Sequence, residues 1–530
     1  MRTAGALTLL SDYMKLGASR FPDKHAFIFG EQRVTYKEFE LIVARLARYL
    51  ISIGVNKGDR IAYIMTPRPE FFYLYMAAAR IGAIIVGMST RHTAHEMEYI
   101  LNNSEAGYVF TLSSMYDIDY QQRLGQILPV CPTVKKVVVI GGSPVLAETS
   151  SFADIISQDY GEWEQPLLER ERSLTTDDGL IIVYTSGSTG QPKGALMSHK
   201  NIIHMSLVEL AQCGAGPDDI WINHLPVNHV SGATEVGATV IVGNAAMVLE
   251  PFNPIRTLEL IEKEKITILG QVPTMFAMEF ALPDYGKYDL SSLKTVVISG
   301  AMAPEETLAQ MISTMCPNCY NCLGLTEVSG LITYTDPGAG IETLNKTVGR
   351  VAPEFEMNLV DKNRQPVADG ETGEIAYRGT SVIKEYYKLP EATAAAIDAD
   401  GWFYSGDLGY TDEDGNLRMV GRSKEMYITG GFNVYPAEVE EYIMRYPGVL
   451  MAACVAMPDP IKGEVGRAYV VPKPGFELEG DKIKAFLQEY LADYKLPVQY
   501  VIRDMLPMTL LGKIEKKLLR QEIDQEFAGK

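Results

Sequence analysis

The sequence predicts an α/β protein: a large N-terminal domain of layered α/β subdomains with a β-rich subdomain, then a small α+β C-terminal domain. Three observations predict it. The chain has 530 residues, more than one compact core accommodates. From Thr35 onward, short apolar runs alternate with amphipathic stretches, as layered strands and helices require. Near residue 350 the pattern changes to strands joined by polar turns, and after Arg422 to a unit of about a hundred residues.

The elements follow in order. Residues 36–53 place Phe39, Ile42, Val43, Leu46 and Leu50 at helical spacing. Residues 60–65 read as a strand, 70–81 as a helix and 83–87 as a strand. Further strands are expected near Val138, Ile181, Ile220, Ala246, Ile268 and Val296, with no internal repeat. The turns Asp361-Lys362-Asn363, Asp369-Gly370 and Asp412-Glu413-Asp414-Gly415-Asn416 then suit hairpins. Beyond them, helices are expected over 436–445 and 480–493 and strands near 450–456 and 467–471. The boundary is placed at Ser423-Lys424, giving domains 1–422 and 423–530.

Composition excludes several classes. A net charge of −19 argues against nucleic acid as a partner, because a phosphate backbone seeks a basic face. No run approaches the roughly 20 apolar residues of a membrane helix. The N-terminus is interrupted by Asp12 and Lys15 too soon for a signal peptide. Six cysteines in so long a chain are no disulfide framework, so a reducing cytoplasm is the expected home. Cys316, Cys319 and Cys322 have metal-like spacing, but strand alternation would send Cys319 to the face opposite the other two. They read as buried thiols.

The most informative segment is Thr185-Ser186-Gly187-Ser188-Thr189-Gly190-Gln191-Pro192-Lys193-Gly194, directly after the apolar run Leu180-Ile181-Ile182-Val183. Glycines let backbone N–H groups turn inward, hydroxyls add donors and Lys193 adds a positive charge, a combination suited to a polyphosphate. Pro192 between the last loop glycine and the lysine distinguishes it from the common P-loop.

This segment resembles the phosphate-binding signature of the adenylate-forming superfamily. That superfamily holds acyl-CoA synthetases, aryl-CoA ligases, adenylation domains of peptide synthetases and beetle luciferase. Four more segments resemble its motifs in chain order: Leu323-Gly324-Leu325-Thr326-Glu327, Tyr404-Ser405-Gly406-Asp407, the stretch from Gly421-Arg422-Ser423-Lys424 through Gly430-Gly431, and Pro507-Met508-Thr509-Leu510-Leu511-Gly512-Lys513. Leu323 stands where the pattern has tyrosine, so apolar packing replaces aromatic stacking on the base there.

The resemblance implies an AMP-forming carboxylate–CoA ligase with a C-terminal domain that swivels. The carboxylate displaces pyrophosphate from ATP, and CoA then takes the acyl group from acyl-AMP. Thr185, Ser186, Gly187, Ser188, Thr189, Gly190 and Lys193 would hold phosphates. Ser299, Gly300, Ala301, Leu323 and Gly324 would contact adenine, and Asp407 and Arg422 the ribose. Thr326 would donate to the α-phosphate, Glu327 would hold Mg²⁺, and Lys513 would bridge the substrate carboxylate and α-phosphate. Lys424 would be the hinge, and Gly430 and Gly431 would line the CoA tunnel. His229 would gate that tunnel and border an acyl pocket of Ser231, Gly232, Thr274, Val328 and Gly330.

These pocket residues are small or apolar and include no cation. They suit a monocarboxylic fatty, cyclic or aromatic acid rather than a dicarboxylate. Glu235 is set aside as pointing away, and Lys516 and Lys517 are read as solvated surface charge. Two alternatives are a stand-alone enzyme loading a carrier protein, and a luciferase-like or non-catalytic relative. The resemblance also permits a homodimer.

Overall fold

The computed structural model describes residues 9–146, 149–185, 192–301, 303–430, 432–509 and 512–528. They form two compact units. One runs to residue 345 and includes 351–356 and 378–403; the other comprises 346–350, 357–377 and 404 onward.

In the first unit the apolar alternation becomes two sheets. A nine-stranded sheet runs Gln32–Thr35, His25–Phe29, Ala245–Val248, Ile220–Asn223, Ile268–Gln271, Thr295–Ser299, Cys319–Leu325, Gly330–Tyr334 and Arg350–Val351. From His25–Phe29 to Cys319–Leu325 every neighbouring pair is parallel. Their carboxyl ends therefore share one rim, outside which such sheets bind ligands. An eight-stranded sheet runs Thr149–Ser151, Lys136–Ile140, Tyr108–Leu112, Arg60–Ile64, Ile84–Met88, Gly179–Thr185, Lys193–Ser198 and Glu385–Tyr386.

The expected helices are present as Tyr36–Ser52 and Pro69–Ile81. Thr35 caps the first: its hydroxyl accepts from the Glu38 N–H while the Glu38 carboxylate accepts from the Thr35 N–H. The second starts on Pro69, ends at left-handed Gly82 and is buried on every side. Phe27, Phe39, Phe71, Phe72 and Phe110 are almost fully buried in the core these helices cover. Each such ring contributes about 1.5–3 kcal/mol of transfer free energy.

Strand Cys319–Leu325 separates Cys322 from the other two thiols; Cys316 precedes the strand and so does not oppose Cys319 as expected. Cys316 and Cys319 enter the apolar cluster with Leu308 and Met311. Cys322 lies on the other face, near Cys213 and Glu209. Burial pushes the Cys319 thiol up to about 12. All three are buried free thiols.

In the second unit one sheet runs Glu356–Val360, Gly373–Arg378, Phe403–Thr411 and Leu417–Arg422. The expected turn at 412–416 closes the antiparallel pair Phe403–Thr411 and Leu417–Arg422. Another sheet joins Phe432–Val434, Tyr427–Thr429, Gly463–Pro472 and Val449–Asp459, with Gln499–Ile502 parallel to Gly463–Pro472. Helix Pro436–Met444 packs on both Val449–Asp459 and Leu417–Arg422. The helix expected over 480–493 stops at Leu487. The chain turns there, and Leu491 and Leu496 join Ile483 and Leu487 in the core. A final helix, Lys516–Phe527, buries Leu519 and Ile523. No described helix is long and apolar enough to cross a membrane.

Candidate active site

The phosphate-loop candidates Ser186, Gly187, Ser188, Thr189 and Gly190 lie outside the described residues, as does Gly431. The two feet of the loop are described. Thr185 and Lys193 face each other across the antiparallel pair Gly179–Thr185 and Lys193–Ser198. Tyr99 donates to the Pro192 carbonyl at 2.9 Å, and Tyr184 donates to Asn103 at 2.6 Å. Tyr99 and Asn103 both belong to helix Ala94–Ser104, so these bonds tie both feet to one helix.

On the rim of the nine-stranded sheet, Ser299 ends its strand and pairs in register with Cys322, one residue before Leu323. Gly300 comes next in the left-handed region, and Gly300 and Ala301 are exposed. A side chain at Gly324 would meet the Gly330 carbonyl at 2.7 Å, so only glycine lets these two strands approach. Thr326 and Glu327 sit on the short helix Thr326–Val328 that leaves this rim. The predicted adenine and magnesium residues thus share one edge because consecutive parallel strands end there.

Sequence reasoning missed Tyr386. Its hydroxyl donates to Glu327 Oε1 at 2.8 Å, and Lys193 Nζ stands 5.0 Å from its ring centroid. Strand pairing of Tyr386 with Ala195 puts it there. Burial, and then Glu327, push its pKa upward, so it stays a neutral donor. One tyrosine thus unites Lys193 and Glu327, which lie far apart in the chain. The only signal was the adjacent aromatic pair Tyr386-Tyr387. Tyr386→Phe removes one hydrogen bond to a charged group, and adenylation is expected to fall about tenfold. ATP–pyrophosphate exchange measures it; an unchanged rate over a full magnesium titration contradicts the role.

In the second unit Asp407 and Arg422 are cross-strand partners. Arg422 Nε donates to Asp407 Oδ1 at 3.1 Å; Asp407 is buried and Arg422 largely exposed. The Asp407 N–H donates to Ser405 Oγ, which donates to the Ile375 carbonyl. Gly406, in the left-handed region, donates to Glu374. These bonds fix the carboxylate. Lys513 stands on a tight turn in which the Thr509 N–H donates to the Lys513 carbonyl and the Lys513 N–H donates to Thr509 Oγ1. Its side chain reaches the surface. Desolvation by surrounding protein, then Arg422, lower its pKa, and Asp407 opposes them. Lys513, about a hundred residues on in sequence, therefore shares one electrostatic neighbourhood with Asp407 and Arg422.

Lys516 is not solvated surface charge. It bridges Glu425 at 2.7 Å and Glu440 at 2.9 Å, and Glu440 also accepts from the Cys454 N–H. Burial opposes its charge, but the two carboxylates prevail and raise its pKa. The pairing also bears on Lys424. Ser423 donates its N–H to the Gly406 carbonyl, so the chain is anchored before residue 424. Glu425 is anchored after it by Lys516. Gly430 is an exposed left-handed turn residue that donates to the Lys462 carbonyl.

The acyl-pocket candidates lie in the first unit. His229 precedes helix Val230–Val242, whose first turn carries Ser231 and Gly232. A Cβ at Gly232 would strike the Val227 backbone at 2.8 Å. The loop before it is held by Tyr63, which donates to the Val227 carbonyl at 2.7 Å. Thr274 is in the first turn of helix Pro273–Phe280, and Val328 is buried on its short helix. A side chain at Gly330 would run into Met205 and lie 2.9 Å from Glu209 Oε1.

Glu209 is therefore a carboxyl beside the pocket candidate Gly330. Burial pushes it up to about 7, against hydrogen bonds from Thr234 and the Leu331 amide. The folded state keeps a proton that the unfolded chain has already lost. Stability should thus fall as pH rises from the ordinary glutamate range through about 7, then level off. Glu209→Gln removes this penalty, worth up to about 3 kcal/mol. Its melting temperature should exceed wild type more at about pH 8 than at about pH 4; an equal difference at both refutes the assignment.

The candidate phosphate residues lie in the first unit and the candidate ribose residues in the second. A family model of AMP-binding enzymes matches residues 15–387, and the model of the C-terminal domain of those enzymes matches 438–513. The chain belongs to the AMP-binding enzyme family. It is 34% identical to the putative acyl-CoA synthetase YngI of Bacillus subtilis, with 96% of each chain covered. It is 33% identical to a feruloyl-CoA synthase of Amycolatopsis sp, covering 94% of this chain and 96% of that one. ATP-bound MatB from Rhodopseudomonas palustris superposes with a TM-score of 0.82 at 26% identity, over 98% of this chain and 99% of that one.

Proposed function

We propose that the protein is an AMP-forming acyl-CoA ligase of the cytoplasm, acting on a monocarboxylic fatty, cyclic or aromatic acid. In the first half-reaction a carboxylate oxygen attacks the α-phosphorus of ATP, and the bond to the bridging oxygen breaks, releasing pyrophosphate. In the second the CoA thiolate attacks the acyl carbon, and the C–O bond to AMP breaks. The observation that carries this reading is the grouping of Asp407, Arg422 and Lys513. A buried carboxylate able to accept from two ribose hydroxyls is paired with Arg422, and both charges are felt at Lys513 on its turn.

Thr326 would donate to the α-phosphate, and Thr185, Lys193 and the loop between them would hold the β- and γ-phosphates. Glu327 fits Mg²⁺, since a carboxylate braced by a neutral hydroxyl offers the hard oxygen donors that ion prefers. Bound there, Mg²⁺ supplies neutralising charge to the triphosphate. Lys513 would hold the substrate carboxylate against the α-phosphate as charge shifts to the leaving group. Rotation of the chain beyond Ser423 about Lys424 would then withdraw Lys513 and bring Gly430 to the CoA path.

The test is a panel of carboxylic acids assayed for AMP release with ATP, Mg²⁺ and CoA. AMP and acyl-CoA formed in equal amounts with at least one acid support the reading. Thioester formed only on a phosphopantetheine-bearing carrier protein replaces it with the carrier-loading alternative. No AMP from any acid rejects it.

A further inference from the structure

We infer that Glu235 and Glu209 form a carboxyl pair that selects acids bearing a hydroxyl group at the end of the tail remote from the reacting carboxylate. This rests on the ligase reading and narrows its substrate class. Glu235, set aside from the sequence, stands on the same helix as two of the pocket candidates. It is four residues after Ser231 and three after Gly232 on helix Val230–Val242, so all three share a face. Its Oε2 is buried without a hydrogen-bond partner among the described residues. Its charge is opposed first by burial and then by Glu209.

Glu209 comes from a different helix, His199–Gln212, which packs on the helix of Glu235. Its Oε1 lies 2.9 Å from where a side chain at Gly330 would begin, so Glu209 reaches a residue read as pocket lining. The groups facing Glu209 are Thr234, the Leu331 amide, Cys213, Cys322 and Tyr334, none of them cationic. No described cluster has a metal-binding donor set.

Two carboxyls without a cation or metal hold at least one proton between them near neutral pH. Such a pair both donates and accepts. A hydroxyl matches either role, because it also donates and accepts, whereas a methyl end would leave the buried Oε2 unpaired. Leaving a buried polar atom unpaired is how sites reject an analogue that lacks a hydrogen-bonding group.

The experiment compares matched acids of equal length: ω-hydroxy against unsubstituted fatty acids, and 4-hydroxyphenyl against phenyl alkanoic acids. The readout is the ratio of kcat/KM within each pair, for wild type, Glu235→Gln and Glu235→Leu. Wild type is expected to favour the hydroxylated member of at least one pair by about tenfold or more. Glu235→Gln should keep that direction, since an amide also donates and accepts, and Glu235→Leu should reverse it. Wild-type ratios at or below one for every pair overturn the proposal whatever the variants do. So does a Glu235→Leu ratio equal to wild type. Activity on unsubstituted acids with no hydroxyl preference refutes the pair while leaving the ligase reading intact. Absence of AMP release with every acid removes the ligase reading and this inference with it.

Discussion

Lys513→Ala is expected to slow adenylate formation by roughly a hundred- to a thousandfold, the scale of losing one charge-stabilising donor. Thioester formation from supplied acyl-adenylate should stay near wild type. The turn around Thr509 holds Lys513 in place, and Asp407 and Arg422 determine its electrostatic setting. An ammonium so placed has one use in the proposed chemistry, to bind oxyanions while the carboxylate attacks phosphorus. Because desolvation and Arg422 lower its pKa, wild-type adenylation should decline on the alkaline side before an ordinary lysine would lose its proton. Pyrophosphate exchange measures the first half-reaction, and acyl-CoA formed from synthetic adenylate measures the second. Equal loss in both would contradict a lysine that serves only one step.

Lys424→Pro should have the opposite profile: pyrophosphate exchange retained and thioester formation cut by about a hundredfold. Residue 424 lies between two anchors, the Ser423–Gly406 backbone bond and the Lys516–Glu425 ion pair. A rotation that respects both must be absorbed at the residue between them. Proline holds φ near about −65° and cannot absorb it. Retention of wild-type thioester formation in this variant would move the pivot elsewhere or remove it.

Much of this was legible in the residues. The loop feet Thr185 and Lys193, the Gly324–Glu327 segment, Asp407 with Arg422, and Lys513 each carried a local reason: glycines for close approach, hydroxyls and cations for phosphate, a carboxylate for ribose. Strand and helix positions came from period, and helices Tyr36–Ser52 and Pro69–Ile81 differ from expectation by a residue at an end. Tyr386 was not legible, because its role depends on a two-residue strand pairing with Lys193–Ser198, almost two hundred residues away. Lys516 was misread for the same reason. A lysine next to Lys517 at the head of a helix reads as solvated until two distant carboxylates are found around it.

The sequence by itself determined which donors and charges the candidate site holds, since motif residues bring them to any fold that contains them. It also determined where strands and helices lie, because period and turn residues act over a few positions. Only the tertiary structure decided which charges meet: Lys193 with Glu327 through Tyr386, and Lys516 with Glu425 and Glu440. Those encounters arise from sheet order and helix packing between distant segments. Their energies depend on burial and neighbours, which no local stretch of chain contains.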